Sequence, residues 1–168
     1  GHNRVSSLLI EGLKRLEYRG YDSAGIATLL NGKIDRRRSL GKIENLKKLL
    51  KKSPIKGNVG IGHTRWATHG IPSRINAHPH SSGDVAVVHN GIIENYDVLR
   101  KDLERKNIIF ESDTDTEVIA HLISFFLKKN LSPLKATIAA LKKVEGAFAL
   151  GIIFSGINNY LICAKRGS

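Results

Sequence analysis

The apolar positions of the chain fall into short, well-punctuated periods. Leu9, Leu13 and Leu16 recur at i, i+4 and i+7, which predicts a helix that Ser6 or Ser7 can cap and Gly20 ends. Residues 25–30 read as a strand, and Asn31-Gly32 is the best two-residue signal for turning it back into a partner strand, Lys33–Leu40. A lysine-rich amphipathic helix is expected over residues 42–52, stopped by Ser53-Pro54, and a short strand over 58–62. Residues 63–83 have no period and are rich in Gly, Pro, Thr, Ser and His, and a loop of about 20 residues inside a compact domain is commonly functional. A buried-looking strand at 84–88 then runs into His89-Asn90-Gly91. Helices follow at 95–106, 116–129 and 133–144, the last begun by Ser132-Pro133, with a strand at 108–110 between the first two. A hairpin of residues 148–154 and 160–164 closes the chain. Mixed elements with several hairpin-linked strands predict an α+β domain.

Composition narrows the function. The 168 residues are 41% hydrophobic and 25% charged, which is globular and excludes a disordered or collagen-like chain. The longest apolar run, residues 147–154, is far short of the ~20 needed to span a membrane. No secretory signal opens the chain, and a single cysteine, Cys163, forms no internal disulfide, so a reducing cytoplasm is the expected compartment and a small core hydrophobe the expected role of Cys163. Lys and Arg number 27 against 15 Asp and Glu, a net +12, of which +8 lies between Lys33 and Lys56. Aromatic residues are 6% of the chain and none interleaves with that run. A solvated basic face is therefore expected, without nucleic acid as a partner.

Several residues could carry chemistry. His63, His69, His78, His80 and His89 fall within one stretch; they could bind a metal, or could hydrogen-bond the loop and line a polar pocket, and the second is expected because the spacing fits no zinc motif. Asn90-Gly91 after a strand could place a side-chain amide and a backbone N–H on one developing oxyanion, or could be a plain turn. Arg65 could grip a carboxylate with Trp66 as an apolar lid. Asp113 and Asp115 could bind an ammonium group, or could stabilise a helix start by their charge. Taken together, one cation, one anion and paired N–H donors would suit an amino-acid amide such as glutamine.

Five stretches carry a family resemblance: Tyr18-Arg-Gly-Tyr-Asp-Ser-Ala-Gly25, His63-Thr-Arg-Trp-Ala-Thr-His-Gly70, Asn76-Ala-His-Pro-His80, His89-Asn-Gly-Ile-Ile-Glu-Asn95 and Ser112-Asp-Thr-Asp-Thr-Glu117. In order and spacing they resemble the N-terminal glutaminase domain, a class II glutamine amidotransferase, of the isomerizing glutamine–fructose-6-phosphate aminotransferases, or glucosamine-6-phosphate synthases. Amidophosphoribosyltransferases typically have Gln in place of Tyr21 and Tyr-Ser in place of Trp66-Ala67.

The resemblance implies a four-layer αββα sandwich of the N-terminal-nucleophile hydrolase type. It implies hydrolysis of L-glutamine by an N-terminal cysteine, without cofactor or metal, and ammonia delivery to fructose 6-phosphate in isomerase domains. It assigns Asn90 and Gly91 to the oxyanion hole, Arg65 to the α-carboxylate and Asp115 to the α-amine. Thr68 and His69 belong to the substrate loop, Trp66 gates the ammonia path, and Arg19 supports the nucleophile's surroundings. Residues 1–168 are then expected to be a partial domain, truncated at both ends and lacking the isomerase domains and the nucleophile. Such a chain is expected to be inactive as written, from a homodimeric parent with no membrane association; a non-catalytic glutamine-binding module is the alternative.

Overall fold

The protein, described here by a computed structural model over residues 5–67, 69–157 and 159–167, alternates helices with antiparallel strands. In order these are α1 (Val5–Lys14), β1 (Ser23–Leu30), β2 (Lys33–Leu40), α2 (Ile43–Lys52), β3 (Val59–Arg65), β4 (His80–Ser82), β5 (Val85–Ile93), α3 (Tyr96–Glu104), α4 (Thr116–Leu127), α5 (Pro133–Leu141), β6 (Gly146–Phe154) and β7 (Leu161–Arg166). A 3-10 turn, Glu17–Arg19, follows α1. Asn31 and Gly32 both take positive φ, +49° and +74°, the geometry that lets a two-residue turn match the twist of β1 and β2.

The strands form two antiparallel sheets, ordered β2-β1-β3 and β4-β5-β6-β7. Period-two alternation gives each face of β1 a different partner. Ala24 and Ile26 pack with Ile10, Leu13, Ile43, Leu46 and Ile55 under α1 and α2. Ala27 and Leu29 meet Ile61, Ala86 and Ile153 between the two sheets. In the second sheet Val85, Val87, Phe148, Leu150 and Ile152 bury their side chains against Val118, Ile119, Leu122 and Ile123 of α4, with α3 and α5 alongside. Each fully buried Ile, Leu or Val contributes about 1.5–3 kcal/mol of transfer free energy. The result is four layers: α1 and α2, sheet, sheet, then the α4 layer, which is the α+β sandwich expected. Among the described residues no helix is long and apolar enough to cross a membrane.

Five expectations change. The stretch expected as loop over 63–83 narrows to the residues between β3 and β4, because β3 pairs with β1 as far as Arg65 and His80–Ser82 forms β4 against β5. Residues 108–110 form no strand: Ile108 and Phe110 turn into the α4 core while Ile109 is 84% exposed, so the alternation records docking of an extended segment. The strand expected to stop at residue 88 continues through Asn90-Gly91 to Ile93, because β6 pairs with it along its whole length. Cys163 is exposed on β7 and is no core residue. The basic stretch is only partly a solvated face. Lys48, Lys51 and Lys52 of α2 are exposed, whereas Arg36 donates to the Pro79 carbonyl at 3.0 Å and Arg38 to those of Ile75 and Ala77 at 2.7 and 3.1 Å. These two arginines pin the loop between β3 and β4 onto the first sheet.

Candidate functional site

The end of β3, the middle of β5, the start of α4 and the turn after α1 converge on one cleft of about 370 Å³. Of the residues singled out in the sequence, Arg19, Arg65, Trp66, His69, Asn90, Gly91 and Asp115 all line it. Asp113 does not; its carboxylate accepts from Asn76 Nδ2 at 3.3 Å, and its backbone N–H donates to Asn76 Oδ1. Thr68 lies outside the described residues.

Arg65 ends β3 and is only 3% exposed. Its Nη1 donates to Asp22 Oδ1 at 3.3 Å, and its Nη2 donates to the carbonyls of His69 and of Gly70, the latter at 3.0 Å. A guanidinium has five N–H donors. Three are engaged here, which fixes the group rigidly while leaving two for a ligand. Asp22 itself accepts from the Ala67 N–H and donates its own backbone N–H to Arg65 O at 2.8 Å, so one carboxylate holds both the cation and the start of the loop.

Asp115 precedes α4 and is 4% exposed. Its Oδ2 accepts from the Ile93 N–H at 2.9 Å, tying the carboxylate to β5 and aiming it into the cleft. The helix start is braced by Glu117, whose carboxylate accepts from the backbone N–H groups of Glu111 and Ser112 at 2.9 and 2.7 Å, from the Ser112 hydroxyl and from His121. Burial alone would raise the Glu117 pKa, but these hydrogen bonds outweigh it and bring the pKa down to about 2.

Asn90 lies on the face of β5 that Ala86 and Val88 turn to the first sheet, just past the edge of that packing, and its carboxamide has no hydrogen-bond partner among the described residues. Gly91 has φ +133° and lies so close to β6 that a Cβ there would be 2.1 Å from the Ala147 carbonyl oxygen. Side-chain amide and backbone thus border the cleft from one strand. Trp66 is 68% exposed, with its indole over Gly20 at the lip, and Arg19 stands beside it with its Nε donating to the Tyr18 hydroxyl at 3.1 Å.

His63, His78 and His80 form one ring cluster, while His69 stands edge-on to Tyr96 and His121 to Phe110. His63 and His78 stack with centroids 4.3 Å apart, and His78 meets His80 edge-on at 4.9 Å. Gly25 makes room for this: a Cβ there would be 2.2 Å from the His78 carbonyl oxygen, so only glycine lets the loop lie on β1. Burial, then the neighbouring His89 and Arg65, pushes the His63 pKa down to about 4. Burial, then Arg38, pushes that of His80 to about 3. His78 and His89 are also lowered, chiefly by burial. These rings are neutral at pH 7. Among the described residues no group of His, Cys, Asp or Glu is arranged to hold a metal ion.

A family model described as a glutamine amidotransferase domain matches residues 63–166. The chain belongs to the glutamine amidotransferase domain family. This amidotransferase domain is 55% identical over 167 residues, 99% of its length, to the glutamine–fructose-6-phosphate aminotransferase [isomerizing] of Mesorhizobium japonicum. It is 53% identical over its whole length to the protein of that name from Gluconobacter oxydans. It spans 28% of the length of each. Among solved structures, the glutamine phosphoribosylpyrophosphate amidotransferase from B. subtilis superimposes with a TM-score of 0.83 at 29% identity, over 99% of this chain and 36% of that one. A structure described as the allosteric regulatory enzyme of purine biosynthesis gives 0.78 at 31% identity, over 91% and 34%. The amidotransferase domain therefore has the N-terminal-nucleophile hydrolase fold.

Two residues that shape the cleft are not singled out in the sequence, Asp22 behind Arg65 and Thr116 at the start of α4. Asp22 lies within the first motif but has no partner until β1 and β3 pair. His78 and Thr116 are brought together only when the loop between β3 and β4 docks on α4, with His78 Nε2 2.9 Å from Thr116 Oγ1.

Proposed function

We propose that this chain is the glutamine-binding and glutamine-hydrolysing part of an isomerizing glutamine–fructose-6-phosphate aminotransferase, which supplies ammonia to make glucosamine 6-phosphate. The observation that carries this is the sharing of one cleft by Arg65, Asp115, Asn90 and Gly91. The free donors of Arg65 take the α-carboxylate of L-glutamine and Asp115 takes its α-ammonium group. Trp66 and His69 close around the ligand, the family resemblance assigns Thr68 to the same substrate loop, and Arg19 supports the nucleophile's side of the cleft. With both ends of the amino acid held, its carboxamide reaches the Asn90 amide and the Gly91 N–H. A thiolate adds to the amide carbon, the carbonyl electron pair moves to oxygen, and these donors stabilise the resulting oxyanion. Collapse breaks the C–N bond and releases ammonia, and water then cleaves the thioester to glutamate. The 53–55% identity to aminotransferases of that name supports fructose 6-phosphate as the acceptor.

No thiol lines the cleft among the described residues, and the only cysteine of the 168 is exposed on β7. That favours a second role for this polypeptide by itself: it binds glutamine without turning it over. Calorimetry tests the site. L-Glutamine binds, and Asp115→Asn weakens it by about 10–100-fold, as expected for one charge-assisted hydrogen bond. Glutaramate, which lacks the α-amine, is indifferent to the same substitution. A silent titration at millimolar L-glutamine, or equal losses for both ligands, refutes the assignment of Asp115. Ammonia release by this polypeptide at an ordinary enzyme's rate refutes the need for a further thiol.

A further inference from the structure

Thr116 Oγ1 lies 2.9 Å from His78 Nε2 and 2.9 Å from His89 Nδ1. A hydroxyl carries one proton and accepts with its lone pairs, and Oγ1 is also 3.5 Å from Asp115 Oδ1. When it donates to one imidazole it accepts from the other, so both rings carry their proton on Nε2 or both on Nδ1; when it donates to Asp115 it accepts from both, and His89 again carries its proton on Nδ1. Asp115 decides between these states. Its Oδ2 is 3.9 Å from His89 Nδ1, where a proton is attracted and a bare lone pair is repelled. With the proton on Nδ1, His89 donates to Thr116, Thr116 donates to His78 Nε2 or to Asp115 Oδ1, and His89 Nε2 keeps a bare lone pair.

That nitrogen is one of three imidazole nitrogens around the cleft, with His63 Nδ1 and His78 Nδ1, that lack a partner among the described residues. His89 is 4% exposed, lines the cleft directly before Asn90, and its Nε2 has no hydrogen-bond partner among the described residues. Leaving a buried acceptor unmatched is costly, so such groups normally have a partner, and His89 borders the ligand space. The ring is also kept neutral by its burial, so it accepts and does not donate a second proton.

We propose that His89 is a ligand-contacting residue whose Nε2 accepts a hydrogen bond from an N–H of the bound amino-acid amide, with Thr116 and Asp115 as the positioning residues that fix its tautomer. This deepens the glutamine assignment above and rests on it. Where the donor is the carboxamide, the contact also gives the cleft a means of preferring glutamine to glutamate, since a bare acceptor matches that N–H and opposes a second carboxylate.

Two measurements on the 168-residue chain test it. A long-range ¹H–¹⁵N spectrum of the imidazoles, which needs no ligand, should show His89 protonated on Nδ1; protonation on Nε2 overturns the proposal. Calorimetry with L-glutamine then compares His89→Asn, which keeps a polar atom near Nδ1 and loses Nε2, with His89→Gln, which does the reverse. His89→Asn should lose about tenfold or more in affinity while His89→Gln stays within about threefold of the parent. The opposite order, which a merely structural bond to Thr116 would give, overturns it. Thr116→Val should also weaken binding and Thr116→Ser restore it, which decides the matter if a His89 variant does not fold. Persistence of the His89→Asn penalty with glutaramate assigns the donor to the carboxamide, and its disappearance assigns it to the ammonium group; either supports the contact. A parent chain that binds no glutamine overturns the functional assignment itself, whereas a parent that binds beside an unaffected His89→Asn overturns only this contact.

Discussion

Gly91→Ala is expected to destabilise the folded chain by about 3–5 kcal/mol, the range of severe steric and backbone strain. Two independent effects combine. The residue has φ +133°, which an L side chain rarely adopts, and its new Cβ would be 2.1 Å from Ala147 O and 2.9 Å from Phe148 Cα. These are backbone atoms of β6, the strand registered with β5 from Val85 to Ile93, and they cannot swing aside as a side chain can. Relief requires β5 and β6 to part where the proposed oxyanion donors lie. Gly12→Ala is the matched control: nothing lies within 4 Å of a Cβ there, the position is in α1, and a gain of about 0.5–1 kcal/mol is expected. Urea unfolding of the three proteins checks both signs. A Gly91→Ala midpoint equal to the parent's would show that this glycine is not required by the sheet.

Acid should unfold the protein at a pH that ordinary domains tolerate. In the unfolded chain each histidine takes up a proton near pH 6.5. In the folded chain His63 does so only at about 4 and His80 at about 3, with burial as the main cause for both. Below pH 6.5 the unfolded state therefore binds more protons, and stability falls as pH falls. At pH 5.5 each of these two histidines costs about 1.4 kcal/mol, about 3 kcal/mol together, against a usual total of 5–15 kcal/mol. His78 and His89, whose pKa values are also lowered, add to the loss. Glu117 prolongs it: with a folded pKa of about 2 and an ordinary one of 4.5, its contribution is present above pH 4.5 and lost below. Urea midpoints measured from pH 7.5 to 5 should fall steeply below 6.5. Constant midpoints over that interval would mean that the cluster is protonated in the folded state.

Local patterns were legible where the chain itself supplies the partner. The Asn31-Gly32 hairpin and the whole of β2 lie where the alternation and turn residues place them, because β1 is the neighbour both in sequence and in space. Asn90-Gly91 carries the same dipeptide signal, yet it lies inside a strand. There the pairing partner is β6, more than fifty residues on, and a two-residue signal carries no information about it. The site divides in the same way. Arg65, Asp115 and Asn90 could be singled out by residue type and motif, but their shared cleft depends on the docking of a loop that Gly25, Arg36 and Arg38 hold down. Thr116 has a helix-start appearance in sequence; its bond to two histidines exists only across α4, β5 and that loop.

Trp66 is the one tryptophan of the chain, and it stands largely in water at the mouth of the cleft. The protein's indole fluorescence is consequently a signal from a single chromophore at the cleft mouth. An occupant that shields the ring from solvent changes the emission colour and its quenching by iodide, so ligand arrival can be timed in a stopped-flow instrument with no attached dye.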